Sequence, residues 1–268
     1  MSTDVQNQGL QALKMMFEKA EKEQRAAFLP YYPIGFPDFE ASIASIKAMS
    51  EVGVDGFEIG VPFSDPVADG PTVQAATQIA LNNGITVRKC LEAVRRLRAD
   101  GVKQPMLAMS YANPLIAYGT DRFIKDAAEA GVDGLIIPDL PPEEAYRFSD
   151  ACTAAGLALV FFLAPTSNEE RIKLVAETAT GFIYVVSLTG ITGTRAELPT
   201  YLKEFIANLR RYTDTKLVMG FGISTAEHAL VMNGLLDGFI VGSALVKAGE
   251  NGPEAVKNLA KTLREALN

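Results

Sequence analysis

One short segment recurs along this chain and limits what it can fold into. Val52-Gly53-Val54-Asp55-Gly56-Phe57-Glu58-Ile59 is matched by Ala130-Gly131-Val132-Asp133-Gly134-Leu135-Ile136-Ile137. Gly234-Leu235-Leu236-Asp237-Gly238-Phe239-Ile240-Val241 is a third, looser copy. Each copy reads as a helix end, a glycine able to take positive φ, an Asp turn and a buried strand.

Segments of helical period lie between the copies: 39–51, 87–99, 121–130, 143–155, 169–178 and 199–212. Apolar runs alternate with them at 27–32, 105–109, 157–163, 182–186 and 216–219. With the three repeat strands these make eight strands, nearly all separated by helices. Continuous apolar strands alternating with helices imply a parallel sheet covered on its outer face. Eight such units point to a closed (β/α)8 TIM barrel, although an open doubly wound sheet also fits the alternation. An amphipathic stretch at 10–22 is expected to plug the barrel bottom. Extra helices are expected after strand two, at 71–81, and after strand eight, at 244–248. No linker composition divides the chain, so residues 1–268 are expected to form one barrel domain.

Active sites of such barrels lie at the C-terminal ends of the strands. The second strand runs there into Gly60-Val61-Pro62-Phe63-Ser64-Asp65-Pro66-Val67-Ala68-Asp69-Gly70-Pro71. Alternation puts Glu58 on the face opposite Phe57 and Ile59, where an acid is costly unless it has a partner or a task. Pro62, Pro66 and Pro71 fix φ along the turn, so Asp65 and Asp69 are held in place. Other readings stand beside the chemical one. Glu58 is also readable as a satisfied structural carboxylate, and Asp69 as the cap of the helix starting near Pro71. Asp65 fits a turn or an interface better than catalysis.

The net charge of −7 argues against nucleic acid or an anionic membrane as partner. An anionic ligand would need local backbone donors. Gly190-Ile191-Thr192-Gly193, Gly220-Phe221-Gly222-Ile223-Ser224 and Gly242-Ser243-Ala244 are glycine-rich turns after the last three strands, where barrels of this kind bind phosphate. The only histidine, His228, reads as a surface or helix-face residue, which excludes Ser-His-Asp and multi-histidine metal chemistry. Cys90 and Cys152 suggest neither a disulfide frame nor a metal site. No apolar run spans a bilayer and the polar N-terminus lacks a signal-peptide core. The expectation is a cytoplasmic protein, or a plastid one if the source is a plant and a transit peptide has been removed.

The stretch Glu58 to Pro71 closely resembles the signature of the tryptophan synthase α subunit family. So do Tyr111-Ala112-Asn113-Pro114, Pro138-Asp139-Leu140-Pro141 and the three glycine turns. The resemblance covers nearly the whole chain. It implies retro-aldol cleavage of indole-3-glycerol phosphate to indole and glyceraldehyde 3-phosphate. By the same resemblance Glu58 and Asp69 match the catalytic acids, and Tyr184 a tyrosine near the reacting centre. Tyr31 and Tyr111 match the indole pocket. Thr192 matches the residue that closes over the site. Gly193, Phe221, Gly222, Gly242 and Ser243 fall in the phosphate-binding turns. Pro62, Asp65, Asn113 and Pro141 match positions facing a β subunit, within an α2β2 assembly. No metal or organic cofactor is implied for this chain, pyridoxal phosphate being expected only in the β subunit. Pro33 departs from the family, which more often has Thr there; it removes a donor and stiffens the first loop. Three rivals remain. They are a stand-alone lyase releasing free indole, another phosphate-binding barrel enzyme such as a sugar-phosphate isomerase, and a non-catalytic subunit that activates a partner.

Overall fold

The computed structural model describes residues 8–186, 199–220 and 222–267. Eight parallel strands close into a barrel in sequence order. They are β1 (Ala27–Pro33), β2 (Phe57–Gly60), β3 (Met106–Met109), β4 (Gly134–Ile136), β5 (Ala158–Leu163), β6 (Ile183–Val186), β7 (Leu217–Gly220) and β8 (Gly238–Val241). The open-sheet alternative is therefore excluded: β1 pairs with β8 from Ala27 opposite Gly238 to Pro30 opposite Val241. Nearly every strand residue is buried, as expected when the interior is filled and helices cover the outside.

The helices are α1 (Leu10–Lys22), α2 (Phe39–Glu51), α3 (Pro71–Asn82), α4 (Val87–Ala99), α5 (Ala112–Tyr118) and α6 (Thr120–Ala130). After them come α7 (Tyr146–Ala155), α8 (Glu169–Thr178), α9 (Thr200–Leu209), α10 (Ala226–Met232), α11 (Ser243–Gly249) and α12 (Pro253–Glu265). Local chemistry sets several starts. Asp38 caps the Ala41 N–H, Thr86 that of Lys89, Asn168 that of Arg171 and Thr225 that of His228. The extra helices after β2 and β8 are present as α3 and α11. Helix α5 follows β3 and is not legible in the periodicity, because it has seven residues and buries only Leu115. The stretch expected as one helix from 143 to 155 divides into a 3-10 turn, Pro142–Glu144, and α7. Among the described residues no helix is long and apolar enough to cross a membrane.

The recurring segment has a structural task. Each of its three aspartates grips the start of the preceding strand. Asp55 exchanges hydrogen bonds with both backbone groups of Phe28, Asp133 with those of Met106, and Asp237 with those of Leu217. Each is also paired with an arginine: Asp55 with Arg25 at 2.6 Å, Asp133 with Arg98 at 2.5 Å, and Asp237 with Arg210. These latches lie at the N-terminal ends of the strands, where α1 closes the barrel. The Gly9 N–H just ahead of α1 donates to Asp133 at 2.7 Å. Phe17 of α1 packs edge-on against Phe182, with centroids 6.1 Å apart.

Candidate active site

Strand register brings Glu58 beside Tyr31 of β1 and Leu107 of β3. Glu58 is 3% exposed, on the barrel interior. Two glycines make room for the rings around it. A Cβ at Gly60 would meet the Tyr31 hydroxyl at 2.5 Å, and one at Gly220 would meet the Tyr184 hydroxyl at 1.8 Å. The inward ends of β2 and β7 are thus bare so that tyrosines from β1 and β6 can lie across them. Tyr184 also stacks on Phe162 at 4.6 Å between centroids.

The loop after β2 holds Asp69 from several sides. The Val61 N–H donates to Met109 O at 2.8 Å, and the Asp69 N–H donates to Pro66 O at 3.0 Å. The Ala68 N–H donates to the Tyr111 hydroxyl at 3.0 Å. The Gln74 side chain donates to Asp69 O at 2.8 Å. The helix-cap reading of Asp69 is not what the loop does: α3 begins after Gly70, and no side chain caps it. The Asp69 carboxylate instead meets the Tyr111 hydroxyl and lines the cavity with Glu58.

The electrostatics separate the two acids. Burial, reinforced by the charge of Asp69, lifts the Glu58 carboxyl to about 8. Burial also lifts Asp69, to about 6, against the hydrogen bond from Tyr111 that favours its charged form. Near pH 7 the pair therefore holds one proton, on Glu58. Burial and the two carboxylates push the hydroxyls of Tyr31 and Tyr184 well above their ordinary range. Both hydroxyls therefore stay protonated near neutral pH.

The cavity has a volume of about 540 Å³. Glu58 and Asp69 line it together with Gly222, Ser224, Gly242 and Ser243 from the ends of β7 and β8. Gly222 has φ of +83°, which excludes a side chain there without strain. Among the described residues no three His, Cys, Asp or Glu side chains cluster as metal ligands.

A family model described as "Tryptophan synthase alpha chain" matches residues 17–268. The chain belongs to that family. It is 49% identical over 229 residues to the tryptophan synthase alpha chain of Roseiflexus sp. strain RS-1, covering 85% of this chain and 88% of the relative. It is 42% identical to a tryptophan synthase of Saccharomyces cerevisiae, covering 90% of this chain but only 34% of that longer protein. A solved tryptophan synthase from M. tuberculosis superposes with a TM-score of 0.88 at 36% identity, covering 95% of this chain and 98% of that one.

Within this alpha-chain fold the sequence-based site residues separate. Glu58, Asp69, Tyr31, Tyr184, Gly222, Gly242 and Ser243 converge on the cavity. Tyr111 is buried behind the loop, against Phe63 at 5.4 Å, and anchors Ala68 and Asp69 rather than forming the wall. Thr192, Gly193 and Phe221 lie outside the described residues. Asp65 and Asn113 are exposed and Pro141 half-buried, whereas Pro62 is buried within the chain itself. Two exposed apolar side chains, Val67 at 82% and Ile116 at 58%, lie near Asp65 and Asn113 in sequence. His228, read from sequence as a surface or helix-face residue, is on α10 but only 6% exposed, and it faces the cavity. Burial of a lone polar residue on a short helix leaves no periodic signal.

Proposed function

We propose that the cavity cleaves indole-3-glycerol phosphate by a retro-aldol reaction, as the alpha subunit of tryptophan synthase in tryptophan biosynthesis. The observation that carries the reading is one cavity lined both by two carboxyls, Glu58 and Asp69, which burial raises unequally, and by the glycine and serine turns after β7 and β8. Neutral Glu58 protonates C3 of the indole, which makes the ring an indolenine cation. Ionised Asp69, fixed by its loop, faces the ring nitrogen as it becomes positive. The carbon–carbon bond from C3 to the glycerol chain then breaks. Its electron pair returns to the ring and regenerates indole. The neighbouring hydroxyl gives its proton to the Glu58 carboxylate and becomes the aldehyde of glyceraldehyde 3-phosphate. Proton and electron counts close with Glu58 restored. Tyr31 and Tyr184 donate hydrogen bonds within this pocket. The backbone at Gly222, Gly242 and Ser243 receives the phosphate, joined in our reading by Thr192, Gly193 and Phe221.

The reaction as written uses no metal or organic cofactor in this chain. Pyridoxal phosphate belongs to the β subunit, which we place against the face carrying Asp65, Asn113 and Pro141 in an α2β2 assembly in the cytoplasm. The test is indole release from indole-3-glycerol phosphate with and without a β subunit. Turnover that rises with the partner supports the reading. High turnover unchanged by the partner supports the stand-alone lyase, and none under any condition supports the non-catalytic subunit.

A further inference from the structure

The cavity presents a charge problem. Its wall carries two carboxyls, Glu58 and Asp69, and the described lining contains neither lysine nor arginine. The ligand proposed above is a phosphate dianion, on which this inference rests. Among the described lining residues one side chain offers a ring N–H donor: His228, in the first turn of α10.

Its ring is oriented by its own turn. The Thr225 hydroxyl accepts the His228 backbone N–H at 3.3 Å, fixing the start of α10. His228 Nδ1 accepts the Ser224 N–H at 3.4 Å. A nitrogen that accepts a hydrogen bond carries no proton, so in this arrangement Nε2 is the protonated one and a donor. The imidazole shares the cavity wall with Gly222, Ser224 and Ser243, from the turns after β7 and β8, where the anion is expected.

We infer that His228 recognises the phosphate through Nε2 and sets the preference of this site for an anionic over a neutral ligand. Its part is in binding and not in bond cleavage, because the proton transfers lie with the acids on β2 and its loop. Ser224 fixes the ring through Nδ1, leaving Nε2 to face the ligand.

The test compares His228→Ala and His228→Gln with the unaltered full chain, using two probes, glycerol 3-phosphate and indole. Titration of His228→Ala is expected to raise the Kd for glycerol 3-phosphate about tenfold, the loss ordinary for one hydrogen bond to a charged group. The Kd for indole should stay unchanged. KM for indole-3-glycerol phosphate should rise by a similar factor with kcat within about twofold. His228→Gln, which keeps an N–H donor, should recover part of the anion affinity. Unchanged glycerol phosphate affinity in a folded His228→Ala protein overturns the inference. So does equal weakening of both probes, which marks a packing role. Absence of indole release by the unaltered chain both with and without a β subunit would sink the proposed reaction, while the glycerol phosphate titration would still decide His228.

Discussion

Asp55 and Glu58 stand in one copy of the recurring segment, yet their surroundings are opposite. Asp55 lies at the N-terminal end of β2, clamped by both terminal nitrogens of Arg25 at 2.6 and 2.7 Å and by the Phe28 N–H at 2.9 Å. Glu58 is three residues further along, equally buried, and among the described residues no arginine or lysine lines its cavity. The bottom of the barrel satisfies its acids and the top leaves them to titrate. A buried charge without a partner is expensive, so it persists only where it has a use. The sharpest way to break this contrast is to neutralise one acid at a time. Glu58→Gln should lower kcat for indole formation about 10³-fold. Glycerol 3-phosphate should still bind it and its melting temperature should not fall. Retained turnover would remove Glu58 from the chemistry.

Asp69→Asn should follow with a loss of kcat of roughly 10²-fold, since it withdraws charge facing the cationic ring. Its fold should hold because the side chain caps no helix. A sharp drop in melting would instead make Asp69 a loop anchor. The bottom acids should behave in the reverse sense. Asp55→Ala leaves Arg25 buried beside a lost partner, a change that costs about 3–5 kcal/mol. For a chain of this size that is a fall in Tm of roughly 10 °C. The protein that remains folded should turn over at the unaltered kcat. If Asp55→Ala loses rate and keeps its Tm, the division between the two ends fails.

The sequence reading reached the barrel because its evidence is periodic: apolar runs, helical faces and a recurring glycine-Asp turn. Eight strands fall near the positions expected from the apolar runs, and alternation separates Glu58 from Phe57 and Ile59 without saying which face is the interior. The sequence did not show what the repeated aspartates hold, because their partners Arg25, Arg98 and Arg210 are brought to them only by closure of the barrel. Gly60 and Gly220 were readable as turn formers, but their use is to seat tyrosines from neighbouring strands, which depends on register. Tyr111 and His228 exchanged places for the same reason. An aromatic in a known motif looked like a pocket wall and supports a loop, while a lone histidine looked peripheral and faces the cavity. Helix α5 was too short to signal itself; its first N–H, on Ala112, is held at 2.8 Å by Asp139 from the turn after β4.

A finer test uses pH on activity. With Asp69 near about 6 and Glu58 near about 8, kcat/KM should form a bell whose plateau lies between those values. The acid limb needs Asp69 ionised and the alkaline limb needs Glu58 protonated. Asp69→Asn should therefore lose the acid limb and keep the alkaline one on its residual rate. A profile that kept both limbs would separate Asp69 from the ring nitrogen.

The smallest effect is on stability, where Glu58 at one end of the barrel and Asp237 at the other oppose each other in sign. Glu58 is held above its ordinary value by burial and by Asp69, so the folded state binds its proton more tightly than the unfolded chain does. That contribution is complete below about pH 4.5 and is lost as pH rises through about 8. Asp237 runs the other way. Burial works against its charged form, but the Leu217 N–H, Arg210 and Lys216 outweigh it and hold the carboxyl below its ordinary value. Its contribution is present above the ordinary carboxylate range and is lost as pH falls through its lowered value. Asp133 does not share this sign, since burial there outweighs Arg98 and the backbone donors. Melting of the unaltered chain should drop by roughly 5 °C between pH 6 and pH 9. In Glu58→Gln this alkaline slope should flatten, and in Asp237→Asn it should remain while the loss on the acid side shrinks. An alkaline slope unchanged by Glu58→Gln would mean that the top of the barrel pays no folding cost for its unpaired acid, and the contrast between the two ends would then be one of function alone.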